Sequence, residues 1–240
     1  MKILGIIPAR AGSKRVKDKN IRPFTGKTLT HLAIEQALEA KYLDRIIVSS
    51  DSDKVLSIAE TYKKVEVLKR PSDLASDTAP AIDYMQHAIN HCETQGWTPD
   101  LVVIIQPTSP IRNGEDIDNT IDCLRKNIIA DSAVSIVKLP HDVHPHKFKT
   151  LDGGILKPWL VDEGQKTAEK DLPEIYIRNC AVYVFKVQNL KKDITYGKKC
   201  VGYKMNPESA VDINDMLDFE FAEYLIKKTK NDKSSNCWMW

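Results

Sequence analysis

The chain reads as an α/β protein with a mainly parallel sheet flanked by helices. Three observations predict it. Apolar runs too short for helices recur along the sequence, at Ile3–Pro8, Arg45–Ser50, 65–68, Leu101–Ile105 and 133–138. Segments of helical period alternate with them, as in Leu29, Leu32, Ala33, Gln36, Ala37 and Ala40 between about residues 28 and 41, and strand–helix–strand units call for parallel pairing. The 240 residues, 42% hydrophobic and 28% charged, have the composition of an ordinary globular protein and are enough for one large core.

The first strand delivers the most unusual stretch. After Pro8 the chain turns into a small-residue loop in which Arg10, Lys14, Arg15, Lys17, Lys19 and Arg22 meet the single acid Asp18. Net charge is only +2, so the positive charge is local and suits a small anion. Gly12 allows a sharp turn and close backbone approach to a ligand, and backbone N–H groups can add to the side-chain charge. A solvated basic loop is the plainer alternative. Gly26-Lys27-Thr28 looks like the end of a P-loop, but the first glycine of that pattern falls on Ile21, which excludes it.

A nearly neutral chain argues against general nucleic-acid binding. The run before Pro8 is too short for a signal peptide and no apolar stretch approaches eighteen residues, so a cytoplasmic protein without membrane contact is expected. Five cysteines without C-x-x-C spacing predict reduced thiols.

Along the rest of the chain, Asp51 and Asp53 follow the second strand as helix caps or metal ligands. The third strand leads into Arg70-Pro71-Ser72-Asp73-Leu74-Ala75-Ser76-Asp77, where Asp77 can cap a helix over 79–93, a place at which the family resemblance given below implies a loop-shaping role instead. His87 and His91 on that helix lack the glutamate of a zinc motif. The central strand ends in Gln106-Pro107-Thr108-Ser109-Pro110-Ile111-Arg112; Gln106 then lies at the carboxyl edge of the sheet, as a ligand contact or a strand cap. A helix near 116–127 and the strand 133–138 continue the alternation. From 139 to 171 it stops, and an inserted arm is the better reading of a stretch too long for a structureless loop. The core resumes over 172–228 and leaves a tail at 229–240. Near its end Asp212 and Asn214, two apart in an extended segment, can face one hard cation, while Asn214 or Asp215 can instead cap a helix over 216–227.

These blocks together resemble one family. The stretch 7–20, IPARAGSKRVKDKN, is similar to the I-P-A-R-x-x-S-K-x-x-x-x-K-N signature of the acylneuraminate cytidylyltransferases, the CMP-sialic acid synthetase family. Residues 70–79, 106–112 and 209–223 resemble its R-P-x-x-L-A-x-D-x-A, L-Q-P-T-S-P-L-R and S-x-D-I-D-x-x-x-D-x-x-x-A-E blocks, in the right order. The resemblance implies a Rossmann-like fold and transfer of CMP from CTP to an acidic nine-carbon sugar. It implies catalytic roles for Arg10, Lys14, Lys19 and Asp212, nucleotide contacts from Ala9, Arg10, Ala11, Gly12, Ser13, Asn20, Arg70 and Gln106, and Mg²⁺ at Asp212 and Asn214. His144, Pro145 and Lys147 match its H-P-x-K element, which implies a dimerisation arm, a homodimer, and sugar contacts from Lys147, Arg178 and Asn179.

Departures mark the sugar end of the pattern. The family's R-Q-x-x-P is missing and Cys180 replaces a glycine, while apart from these Asn214 replaces an aspartate at the metal pair. The first two leave the sugar open among sialic, legionaminic and pseudaminic acids, with a lean away from plain sialic acid. A CMP-Kdo synthetase and a nucleotide-binding protein with weakened catalysis are the alternatives; Lys19-Asn20 ahead of Gly26 speaks against the first.

Overall fold

A computed structural model describes residues 1–160 and 172–235, with side chains described through 229. Its seven-stranded sheet is built from β1 (Ile3–Pro8), β2 (Arg45–Ser50), β3 (Glu66–Lys69), β4 (Leu101–Ile105), β5 (Ser132–Lys138), β8 (Tyr176–Lys186) and β9 (Cys200–Lys204), in the order β3-β2-β1-β4-β8-β5-β9. Strands β1 to β4 pair in parallel, as do β5 and β9, while β8 runs antiparallel to both β4 and β5.

Alternate residues of the central strands feed opposite cores. Leu101, Val103 and Ile105 face one layer, with Ala33, Ile34 and Ala37 of α1 (Leu29–Glu39), Val55 and Ala59 of α2 (Asp53–Glu60) and Ile117, Ile121 and Leu124 of α4 (Gly114–Lys126). Val102 and Ile104 face the other, against Tyr84, Met85, Ala88 and Ile89 of α3 (Ala81–Thr94) and Val187 and Leu190 of α5 (Val187–Leu190). Burial on both faces explains why these strands read as continuous apolar runs. A smaller core gathers Val16, Phe24, Leu29, Ile213, Phe219 and Ala222, with the Phe24 and Phe219 rings edge to face at 5.0 Å. It pins the N-terminal loop to the start of α6 (Met216–Ser235).

Three elements depart from the sequence reading. The edge strand β9 was not legible, because its five residues are at most half-buried and carry little apolar signal. The reversed β8 follows from the chain's re-entry beside β4 after the excursion. That excursion, expected as an arm over 139–171, holds two 3₁₀ turns, His141–Val143 and Pro145–Lys147, and a separate hairpin of β6 (Lys149–Asp152) and β7 (Ile155–Pro158). Residues 161–171 of the arm, and 236–240 of the tail with Cys237, lie outside the described residues.

Candidate functional site

The site forms at the carboxyl edge of the parallel strands, where open α/β sheets bind their ligands. Beyond β1, Ala9 is buried and its carbonyl accepts from the Ser50 hydroxyl at 2.5 Å. Asp51 takes the Ala11 N–H at 2.7 Å, so both aspartates expected as caps do other work: Asp51 fastens the loop, and Asp53 pairs with Lys69. Gly12 turns at a φ of 74° in the left-handed region. Asn20 closes the loop, donating its amide to the Arg10 carbonyl at 2.9 Å and leaving its buried Oδ1 without a protein partner.

Most of the loop's cations are held by partners within the chain. Arg10 and Lys14 both pair with Asp77, at 2.6 and 2.7 Å, and these two partners hold the Asp77 carboxyl below its ordinary range. Asp77 is not a helix cap; the residue before α3 is Pro80. Lys19 donates to the Ile213 carbonyl at 2.6 Å. Burial lowers its pKa, Asp212 works against that, and Arg15 and Arg10 add to it.

Behind the loop, Arg70 is 4% exposed; its Nε and Nη2 donate to Ser49 Oγ and O at 3.1 and 2.9 Å, and its guanidinium lies 4.5 Å over the Tyr84 ring. A cleft of about 270 Å³ opens between these elements, and Arg10, Ser13, Lys19, Asn20, Arg70, Asp77 and Gln106 all line it. Next to it lies a recess of about 410 Å³ walled by Tyr84, Met85, Ile104, Tyr183, Phe185 and Tyr196. Ala81, Tyr84 and Gln106 border both. A larger groove of about 570 Å³ between α1, α4 and α6 contains none of the expected residues.

At the far side of the loop, Ser109 Oγ donates to Asp212 Oδ1 at 3.3 Å and the Ile213 N–H to the Thr108 carbonyl at 2.8 Å, which ties the metal candidate to the end of β4. Asn214 sends its amide N–H to the Asp212 carbonyl at 3.0 Å and carboxylate at 3.3 Å, while its Oδ1 accepts from Arg15 at 3.3 Å. Asp215, not Asn214, caps α6: it accepts the Asp218 N–H at 3.0 Å, and Asp218 returns the bond to the N–H groups of Asn214 and Asp215. One carboxylate and an amide suit a hard divalent ion that arrives with phosphate oxygens and keeps its waters. Among the described residues no three acidic, histidine or cysteine side chains gather to bind one unaided.

The expected sugar contacts are scattered. Arg178 is exposed and stacks over Tyr196 at 4.9 Å, beside the aromatic recess. Asn179 is 3% exposed, its amide spent on Ser135, Met205 and the Ser209 carbonyl, so it braces the site from within. Lys147 turns to His141 and Asp142 in the arm and lines neither recess. His144 is buried and meets the Pro173 carbonyl at 3.2 Å, anchoring the arm to the returning chain. Cys180 sits at a φ of 60°, where the register of β5 against β8 shifts, which explains a glycine in the family pattern at this position. Burial, with the Cys180 thiol adding to it, pushes the Tyr183 phenol up.

Sequence reasoning missed Asp51 as the loop's anchor, Ser49 as the partner of Arg70, and Tyr84 at the junction of the recesses. Only their positions at strand ends or on the inner face of α3 hinted at them.

A parallel sheet with a cation-lined cleft at its carboxyl edge, set against an aromatic recess, defines an α/β nucleotide-binding protein. Comparison narrows the class. The cytidylyltransferase family model matches residues 4–153, and the chain belongs to that family. It is 31% identical to post-translational flagellin modification protein B of Campylobacter coli over 94% of this chain and 95% of that one. Against CMP-N,N'-diacetyllegionaminic acid synthase of Legionella pneumophila the identity is 29%, over 95% of this chain and 97% of the other. Among solved structures, a CMP-2-keto-3-deoxy-manno-octonic acid synthetase complexed with CTP superposes with a TM-score of 0.69 at 13% identity, covering 95% of this chain and 100% of that one. It shares the fold.

Proposed function

We propose that the protein activates a nonulosonic acid, an acidic nine-carbon 2-keto sugar, by transferring CMP to it from CTP. The observation that carries this reading is the pair of adjoining recesses: one ringed by cations and the buried Arg70, the other aromatic, meeting at Tyr84 and Gln106. A nucleoside triphosphate belongs in the first and a sugar in the second, so that their reacting atoms meet at the shared border.

In the reaction the anomeric hydroxyl oxygen bonds to the α-phosphorus of CTP, the bond from that phosphorus to the bridging oxygen breaks, and pyrophosphate leaves with the electron pair. Arg10, Lys14 and Lys19 stabilise the triphosphate and the departing charge, a task of positioning and electrostatics. Nucleotide exchange for Asp77 would free Arg10 and Lys14 for this work. Asn20, Arg70 and Gln106 place the nucleoside; the Gln106 amide can donate and accept at once. Asp212, with Asn214 beside it, would hold Mg²⁺, which when bound supplies charge neutralisation between phosphate oxygens. No histidine lines either recess among the described residues, and the proposed acceptor of the hydroxyl proton is Asp212, acting through water.

A homodimer is part of the reading. Leu151 and Leu156 face each other across the hairpin at 71% and 66% exposure, with Trp159 beside them at 63%. Apolar surface of this kind, on an arm that carries Lys147, suits a second copy and would bring Lys147 to the partner's sugar rather than its own. A CTP-consuming reaction fits an enzyme of the cytoplasm. Among the described residues no helix is long and apolar enough to cross a membrane.

Pyrophosphate release tests the function. CTP with sialic, legionaminic, pseudaminic and Kdo acids, and ATP, GTP and UTP as controls, should give turnover with CTP and at least one nonulosonic acid. Turnover with Kdo alone moves the enzyme to the other sugar class. CTP binding without release from any acid leaves a nucleotide-binding protein.

A further inference from the structure

Arg15 lies outside every matched position of the loop signature, yet it reaches 199 residues along the chain to Asn214. Its Nη2 donates to Asn214 Oδ1 at 3.3 Å, and the same amide turns its N–H toward Asp212. Both ends of Asn214 are thereby committed: the oxygen to a guanidinium and the nitrogen to a carboxylate. Lys19, which lines the cleft, donates to the carbonyl of the neighbouring Ile213 at 2.6 Å, so both cations meet the 212–214 segment, and the charge of Arg15 helps to lower the Lys19 pKa behind the larger effect of burial.

The local charge decides what can bind there. Asp212, Asp215 and Asp218 lie by Arg15 and Lys19, Arg10 being paired with Asp77, and the Asp215 and Asp218 carboxylates are already spent on N–H groups at the start of α6. Arg15 and Lys19 offset most of this negative charge, and an amide oxygen already bonded to a guanidinium is a poor ligand for a free divalent cation. A nucleoside triphosphate changes the balance by carrying its own negative charge and oxygen ligands.

Resting on the cytidylyltransferase reading, we infer that Arg15, held by Asn214, is a contact for the departing diphosphate, and that a divalent ion enters this site only with the nucleotide. The fixed guanidinium supplies the positive charge that a second ion ligand at residue 214 would otherwise help to recruit. Its planar fork suits two oxygens of a diphosphate, which a lysine cannot match.

Equilibrium binding tests this with probes that need no turnover. Inorganic pyrophosphate and CMP are titrated into the wild type, Arg15→Ala and Arg15→Lys, and Mn²⁺ is followed by electron paramagnetic resonance with and without CTP. Arg15→Ala should weaken pyrophosphate about tenfold, the loss of a charge-assisted bidentate contact, and leave CMP unchanged; Arg15→Lys should recover part of the loss. Wild type should hold Mn²⁺ only when CTP is present, and Asn214→Asp should hold it without. Unchanged pyrophosphate affinity in Arg15→Ala, an equal loss for CMP, or Mn²⁺ bound by the wild type without nucleotide overturns the inference alone. Failure of the wild type to bind CTP overturns the function proposed above together with it.

Discussion

The loop after β1 and the hairpin of the arm are both exposed, and they are built on opposite terms. In the loop nearly every charged group has a partner within the chain: Arg10 and Lys14 on Asp77, Lys19 on Ile213, Arg15 on Asn214. In the hairpin Leu151, Ile155 and Leu156 are each about two-thirds exposed. The difference teaches that the nucleotide half of the site is shaped before ligand arrives, at low reorganisation cost, whereas the arm's apolar side chains wait for another surface.

The largest effect should come from breaking the loop side. Lys19→Ala removes a charge that is half-buried against Asp212, and kcat/KM should fall about 100-fold with an unchanged circular dichroism spectrum. The wild type carries a pH signature of the same residue. Because burial lowers Lys19 from 10.5, its charge, and with it CTP affinity, should be lost as pH rises through a value below that of a free lysine. The sign for stability is opposite: the unfolded chain holds this proton more tightly, so the residue's contribution to folding grows as pH rises through that window. An alkaline limb unmoved in Lys19→Ala would assign the titration elsewhere.

On the arm side, Leu151→Asp with Leu156→Asp should give a monomer by light scattering, with sugar-dependent turnover down about tenfold and CTP affinity retained, because contacts at an interface and at the cleft are separable. Retained dimer mass would rule the hairpin out as the interface. A smaller change follows from Asp77→Asn, which releases Arg10 and Lys14 from an exposed pair; CTP should bind about two- to fivefold more tightly at low salt. Weaker binding would show that Asp77 shapes the loop instead of occupying the phosphates' place. Smallest is Cys180→Gly. Relieving a left-handed non-glycine residue should raise stability by about 1 kcal/mol, or the melting temperature by about 2–4 °C.

The sheet's parallel half was legible because burial on both faces writes unbroken apolar runs, and Leu101–Ile105 shows it at every position. The returning half was less so. Antiparallel β8 and edge β9 depend on where the chain re-enters after the arm, and no local pattern records that. Among site residues, Arg10, Lys19, Asn20, Arg70 and Gln106 share one cleft as their block positions implied. Asn179 shows the limit: its place in the pattern is plain, but only packing reveals that its amide is consumed by Ser135 and Ser209. Asp51 read as a cap, and Asp77 as a cap or a loop-shaping residue, because capping is local; each is instead used by a cation or an N–H group far away in the chain.

The small core around Phe24 and Phe219 has a consequence for how the molecule comes into being. Lys19 meets Ile213 across 194 residues, so the loop that lines the cleft and the segment that fastens it are synthesised far apart. The sheet through β4 can assemble while α6 is still unmade, but contacts of such long separation form late. During synthesis the basic loop is therefore a loose cationic tether, and it becomes a binding site only when the last helix docks and Phe219 closes over Phe24.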